Sequence, residues 1–484
     1  MSVSYLILLH WLAVCSISGL CYTSPLSAVG EYSRSTLVED TTRPNILIIT
    51  VDNIGYGDFS FFNKDSKILT PNLERLAKRG ARLTQFYTAG ATCTVSRASL
   101  LTGRIPQRHQ LVAQLNGVAG NYGIGLRQSE ILIPSMLKGV GYATGAFGKW
   151  NIGFAPGSRP TERGFDEYLG IASGNADHFS HVYAGKHDLH HNTESINRHG
   201  EYSTDLFANA AIGFMQAHSA ASRPWFVYLP FDAPHHPGDR NIAPGEENIW
   251  KAPESAFKAY ELEADEKDPG KRFRAVVTAI DMAVGRLLDS LEAMGQLEKT
   301  FIFFYSDNGA FYPYLDIQSN APLKGAGVTL WEGGIRVPAI ACWPGYIQPE
   351  SDIDTRLWSL DLFPTCAKLA NVDMPADRFI DGKNFLPNLL DASVASPHAT
   401  LYFEYENFAA LHWGDWKIIR DDPEGPWQLY NLAKDLSENQ NRSDEYPDIT
   451  KKLEAAFLQK KTEIEHYLEI ETSFLQIDKL KKND

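Results

Sequence analysis

Two Asp-Asn pairs, Asp52-Asn53 and Asp307-Asn308, follow two continuous apolar runs, NILIITV and TFIFFYS. Together they offer four side-chain oxygens, the donor set of a hard cation. Calcium or magnesium is the expected ion, because no histidine or thiol stands beside either pair in the sequence. One such pair near a glycine reads as turn chemistry; two, each after a buried run, point to a metal site. Other chemistry-bearing residues follow similar runs: Lys149 in GKWNIG, His235 and His236 in DAPHHPG, and Lys324 in the glycine-rich PLKGAGVTLWEGGIRVP. Cys93 opens GATCTVSRASLLTGR, with Arg97 four positions on. Alone, that cysteine reads as a small packed hydrophobe. In this company it is a nucleophile candidate at a helix start, where negative charge is stabilised. A cation ringed by ammonium groups and imidazoles, with a nucleophile beside it, suits cleavage of an anionic ester.

The elements that must position these residues are legible in the same runs. Asn45–Val51, Ala143–Gly148, Trp225–Phe231 and Thr300–Ser306 are short, β-rich and apolar throughout, as strands buried on both faces are. Helical stretches alternate with them, one opening at Thr70-Pro71 and closing at Gly80, another running from Arg274 to Gly295. The expected fold is α/β, a large and mostly parallel sheet flanked by helices, with ligands at the carboxyl ends of the strands. Near residue 395 the texture changes to two or three alternating antiparallel strands with a Gly414-Asp415 turn, then an amphipathic helix. The expected division is a signal peptide at 1–30, a linker at 31–43, a catalytic domain at 44–394, a smaller α+β domain at 395–470 and a frayed tail at 471–484.

Bulk composition bounds the partners. The 484 residues carry a net charge of −14, which argues against a nucleic-acid binder. An anionic substrate would need local cations to overcome that field. The apolar run YLILLHWLAVCSISGL, followed by SAVG at Ser27 to Gly30, reads as a cleaved export signal and predicts a periplasmic or secreted protein without a stable membrane span. Beyond it only Cys93, Cys342 and Cys366 remain, too few for a disulfide framework.

The chain resembles the sulfatase family of the alkaline-phosphatase-like superfamily from Asn45 to the C-terminal helix. The family signature, Cys-x-Pro-Ser-Arg followed by Leu-Thr-Gly-Arg, is matched by Cys93-Thr94-Val95-Ser96-Arg97 and Leu101-Thr102-Gly103-Arg104. SDNG, GKW, APHHP and LKGAGVTLWEGGIRVP stand in the family's order as well. The resemblance implies a sulfuric ester hydrolase whose signature cysteine is oxidised to formylglycine (3-oxoalanine) by a maturation enzyme. One hydroxyl of its hydrate attacks sulfur, and the second then collapses the adduct and expels sulfate. By position, Asp52, Asn53, Asp307, Asn308 and the modified Cys93 would hold calcium, with magnesium as the alternative. Arg97 would steady the nucleophile, Lys149 and Lys324 would neutralise the sulfate oxygens, and His235 would protonate the leaving alcohol. Asn151 would face the substrate, while Arg104 would support the helix end.

Three positions depart from the family pattern. Val95 replaces proline or alanine within the signature. Asn151 stands where much of the family has a histidine that accepts a proton, which an amide does not do; His236 is a candidate substitute. Asn53 replaces an aspartate, removing one negative charge from the cation's shell. A phosphonate or phosphodiester hydrolase on the same scaffold, and a non-catalytic sulfatase-like binding protein, are the alternatives. The substrate expected is a sulfated carbohydrate or aryl sulfate. Tyr312 and Trp331 are candidate sugar platforms, and the histidine-rich stretch 173–192 is either part of the pocket or a solvated loop.

Overall fold

The computed structural model describes residues 43–115, 125–237, 241 and 249–481. The expected signal peptide, and all of the expected linker but its last residue, lie outside them. A ten-stranded sheet forms the centre of the molecule. Its strands are β1 (Asn45–Val51), β2 (Ala81–Leu83), β3 (Ala143–Phe147), β4 (Glu167–Ile171), β5 (Leu189–His191), β6 (Glu194–Ser195), β7 (Trp225–Pro230), β8 (Thr300–Ser306), β9 (Ala339–Cys342) and β10 (Ser351–Ile353). Their spatial order is β10-β2-β9-β8-β1-β7-β3-β4-β5-β6. The block β8-β1-β7-β3-β4 is parallel, whereas β9 joins β8, β2 joins β9, β5 joins β4 and β6 joins β5 in antiparallel sense. At the other edge β10 joins β2 in parallel, so the sheet is mixed around a parallel heart.

The apolar runs fold as strands because both faces are covered. In β1, Leu47, Ile49 and Val51 enter one core cluster while Ile46 and Ile48 enter the other, the two-residue alternation of a strand. The first cluster is closed by helices α1 (Pro71–Lys78), α3 (Ser203–Ala220) and α4 (Pro269–Ala293). The second is closed by α2 (Cys93–Thr102) and α5 (Leu362–Leu369). Each fully buried Ile, Leu or Val contributes about 1.5–3 kcal/mol, so burial on both faces fixes these strands more firmly than local propensity does. Helix α4 starts earlier than its apolar periodicity suggests, because Asp268 caps it by accepting the Lys271 N–H at 2.9 Å and Pro269 takes the first turn.

The C-terminal sheet has four antiparallel strands, β11 (Thr400–Tyr405), β12 (Phe408–Trp413), β13 (Trp416–Arg420) and β14 (Gln428–Asn431). It shares a core cluster with Tyr87, Val95, Leu330 and Trp331 of the larger domain. Helix α6 (Pro447–Lys481) lies against it. The frayed tail expected from Glu471 is instead helical to Lys481, because Glu471 pairs with the buried Arg104 at 3.2 Å and with Arg127 at 3.4 Å. Arg104 also meets Glu130 at 2.8 Å, so it anchors the end of α2 to α6 as expected of a supporting residue. Cys342 and Cys366 are buried and unpaired. Among the described residues no helix is long and apolar enough to cross a membrane.

Candidate active site

Strand order alone places the site. β1 lies between β8 and β7, and all three, with β3, are parallel, so their carboxyl ends open on one edge where the connections diverge. Asp52 and Asn53 leave β1, Asp307 and Asn308 leave β8, His235 follows β7 and Lys149 follows β3. Cys93 is the first residue of α2, whose opening turn faces that edge.

The charged centre is wholly buried. Arg97 donates from Nε to Asp307 Oδ2 at 2.9 Å, from one terminal nitrogen to Asp52 Oδ2 at 2.9 Å, and from the other to the Lys149 carbonyl at 2.8 Å. Lys149 pairs with Asp52 Oδ2. The Cys93 thiol donates to Asp52 Oδ1 at 3.2 Å, and Asn308 Nδ2 lies 3.9 Å from the same sulfur. Burial pushes the Asp52 carboxyl up, but Lys149 and Arg97 outweigh it and hold the group below its ordinary value. Asp307 is pushed up to about 6 by burial and by Asp52. Burial opposes the charge on Lys149, yet Asp52 keeps the ammonium firmly protonated. The Cys93 thiol is raised by burial and then by Asp52, so the unmodified side chain is no thiolate nucleophile at neutral pH.

His235 donates from Nδ1 to the His236 carbonyl at 2.8 Å, leaving Nε2 as a bare lone pair in the neutral ring. Burial lowers it to about 3. The expected proton donor is thus neutral in the free site, and an arriving anion is what would raise its affinity for a proton. Its ring, Asp52 and Cys93 each present a ligand atom within 4.8 Å of the others. His178 braces the loop by donating from Nε2 to the His235 carbonyl at 3.1 Å. The stretch 173–192 is therefore neither a solvated loop nor simply a pocket wall. It buries His178 and His181 and adds β5 to the sheet. The His236 ring packs edge-on against Trp250 and Tyr314.

Lys324 is held from the C-terminal side. Its ammonium lies 3.6 Å from the Trp331 ring centroid and donates to the Glu438 carbonyl at 3.1 Å. Glu438 is in turn locked in place, accepting the Glu332 N–H at 2.7 Å and pairing with Lys417 at 2.8 Å. The loop of Lys324 then passes over the Asn308 amide: a Cβ on Gly327 would lie 3.0 Å from Asn308 Oδ1. Trp331 does not serve as a sugar platform, because it is 9% exposed, covered by Lys324 and edge-packed on Tyr430. Tyr312 is 63% exposed and remains available.

Val95 is accommodated by its neighbours. A Cβ on Gly90 would lie 2.4 Å from Val95 Cγ1, so the glycine makes room for the branched side chain. Asn53 adopts a left-handed backbone at φ 64°, which asparagine tolerates. Sequence reasoning missed Glu332, Lys417 and Glu438, whose roles depend on contacts between distant segments. It also missed Thr94 and Gln114, which bond Asn151 at 2.9 and 3.0 Å.

Comparison with known proteins decides the family. The sulfatase family model matches residues 44–372, and a second, described as N-sulphoglucosamine sulphohydrolase, C-terminal, matches residues 328–463. The chain belongs to the sulfatase family. This sulfatase is 32% identical over 420 residues to N-acetylgalactosamine-6-sulfatase of Sus scrofa, covering 83% of this chain and 76% of that protein. It is 30% identical to steryl-sulfatase of Mus musculus, covering 78% and 71% respectively. The crystal structure of Ps i-CgsB in complex with k-i-k-neocarrahexaose superposes with a TM-score of 0.76 at 29% identity, covering 86% of this chain and 92% of that one. The sulfatase is a hydrolase of sulfuric ester bonds on the alkaline-phosphatase-like fold.

Proposed function

We propose that this sulfatase removes sulfate from a sulfated carbohydrate, with formylglycine at position 93 and a calcium ion held by Asp52, Asn53, Asp307 and Asn308. The observation that carries the reading is the placement of Cys93 at the start of α2, its Sγ 3.2 Å from Asp52 Oδ1 and buried among Arg97, Lys149 and Asp307. The donor set fits a hard cation. It consists of carboxylate and amide oxygens, and Asn308 donates from Nδ2 to Asp307 Oδ1 at 2.9 Å, which orients its amide beside that carboxylate. Magnesium is the alternative ion.

The aldehyde hydrate would supply an attacking oxygen and a turnover route that a serine or thiol lacks, and the cation would polarise a sulfate oxygen. Around them the chain's own residues divide the work. Arg97 ties Asp52 to Asp307 and keeps both carboxylates oriented. Lys149 neutralises sulfate oxygens, and Lys324, whose ammonium lies on the Trp331 ring and the Glu438 carbonyl, is the second cation assigned to that task. His235, protonated once the anion is bound, delivers a proton to the leaving oxygen from Nε2. Charge supports this arrangement. Asp52 and Asp307 balance Arg97 and Lys149 to zero, so a divalent cation would leave these groups with the net positive charge that a sulfate ester monoanion requires.

The carbohydrate assignment draws on the relatives, which include an N-acetylgalactosamine-6-sulfatase and a neighbour solved with k-i-k-neocarrahexaose. It also draws on the open Tyr312 ring, whose neighbour Phe311 faces His235 at 6.3 Å between centroids. The same reading requires a maturation enzyme that oxidises Cys93, and export directed by the N-terminal apolar run. Turnover of nitrophenyl sulfate and of the corresponding phosphodiester tests it. Preference for the sulfate by orders of magnitude is expected. Preference for the phosphodiester would replace this reading with a phosphodiester hydrolase, and binding of a sulfated glycan without turnover would replace it with a binding protein.

A further inference from the structure

The carboxamide of Asn151 is oriented by a chain of hydrogen bonds that begins at an unambiguous donor. The Thr94 N–H, in the first turn of α2, has no partner within its own helix and donates to Gln114 Oε1 at 3.1 Å. That bond assigns the Gln114 amide. With its oxygen on Thr94, its Nε2 is left to donate, and it does so to Asn151 Oδ1 at 3.0 Å. The Thr94 hydroxyl accepts the Leu115 N–H at 3.1 Å and lies 2.9 Å from both Asn151 Oδ1 and the Asn151 carbonyl, which share its single proton. The Gln114 donor thus fixes Asn151 Oδ1 on the side of Gln114 and Thr94. Its Nδ2 end points the other way, and among the described residues it makes no hydrogen bond to protein. Gly174 keeps that end open, since a Cβ there would lie 3.2 Å from Asn151 Nδ2 and 3.6 Å from Gln114 Nε2.

We propose that Gln114 is a positioning residue that fixes Asn151 as a hydrogen-bond donor, so that Asn151 Nδ2 binds an oxygen of the sulfuryl group held beside residue 93. This inference rests on the sulfate-ester reading above. Were the amide turned over, its oxygen would face the sulfate and repel it. Held as it is, the amide gives a neutral donor whose strength does not change with pH. The position thus binds the anion rather than accepting a proton, and a second group must serve as base.

The test is a double-mutant cycle on the matured enzyme with Gln114→Met, Asn151→Ala and both together. The readouts are kcat and KM for nitrophenyl sulfate, the Ki of inorganic sulfate as competitive inhibitor, and thermal melting. Gln114→Met is expected to raise the Ki about tenfold, as loss of one charge-assisted hydrogen bond does. In the Asn151→Ala background the same change should add less than twofold. Equal effects in both backgrounds would overturn the inference, leaving Gln114 as a cap on α2 and nothing more. No change in Ki with Asn151→Ala would overturn it too. If Gln114→Met does not fold, Gln114→Glu takes its place: it still accepts from Thr94 but offers Asn151 no donor, and the same non-additivity is expected. A parent enzyme that neither turns over the ester nor binds sulfate would overturn the functional reading itself. Turnover by the parent with additive variants would overturn only the role of Gln114.

Discussion

Replacing Arg97 by methionine removes the side chain that, among the described residues, hydrogen-bonds both Asp52 and Asp307. Arg97, Asp52, Asp307 and Lys149 all have fully buried side chains. Losing one positive charge takes the cluster from zero to −1, leaving a buried carboxylate without compensation. Three hydrogen bonds go with it, to Asp307, Asp52 and the Lys149 carbonyl. Summed at about 1.5–3 kcal/mol each they would overstate the loss, because they share one desolvation cost. The cost of breaking a buried ion pair, about 3–5 kcal/mol, is the better figure. It should appear in chelator, where nothing replaces the lost charge. Saturating calcium stabilises both proteins, so it narrows the gap only by the variant's gain in affinity, about 1.4 kcal/mol for each tenfold; the variant's cluster, one charge more negative, attracts the cation more strongly. Guanidinium unfolding of parent and variant, each with chelator and with calcium, measures all four values. A loss below about 1 kcal/mol in chelator, or a gap unchanged by calcium, would refute the role assigned to Arg97.

Three further outcomes are expected. His235→Gln should lower kcat by about a hundredfold or more for an alkyl or sugar sulfate, but far less for nitrophenyl sulfate, whose leaving group needs no proton; equal losses on both would remove His235 as the proton donor. Asn53→Asp should tighten calcium binding by adding a carboxylate to the shell, and calorimetric titration showing equal or weaker affinity would contradict Asn53 as a ligand. Asp177 is raised by burial but held at about 2 by Lys251 and by the N–H groups of Ser180 and Phe179. Its folded value lies below the unfolded one, so its contribution is present above pH 3.8 and is lost as pH falls through 2. Asp177→Asn should therefore cost about 2 kcal/mol at pH 7, with the gap to the parent closing between pH 4 and pH 2; a gap that widens on acidification would contradict the sign.

The central strands and the residues that follow them were legible in the sequence because their cause is local. NILIITV and TFIFFYS are dominated by β-favouring apolar residues and are buried at every position, as a strand covered on both faces is, and polar residues then mark where each strand leaves the core. The signature helix was legible for a similar reason: Gly103, at φ 67°, closes it, and a Cβ there would meet Phe363 at 2.8 Å. What escaped the sequence depends on partners far along the chain. Trp331 looks like an exposed platform in GVTLWEGG, yet Lys324 and Tyr430 cover it. Glu471 sits in a polar tail by composition, yet Arg104 and Arg127, from the other end of the chain, hold it in helix. The stretch 173–192 looks like a variable loop, but it becomes an antiparallel edge to the sheet and a brace for His235. Gln114 carries no local signal at all; its meaning comes from Thr94 and Asn151 meeting across the site.

The most direct measurement is mass spectrometry of the tryptic peptide Leu83 to Arg97 from protein made in its native host, paired with sulfate release by the same sample. The expected result is a lighter, carbonyl-reactive residue at position 93, in a fraction that tracks specific activity. An intact Cys93 thiol in a preparation that still hydrolyses the ester would contradict the formylglycine nucleophile. An intact thiol without turnover would mean that Val95 blocks maturation and that the chain binds its ligand without cleaving it.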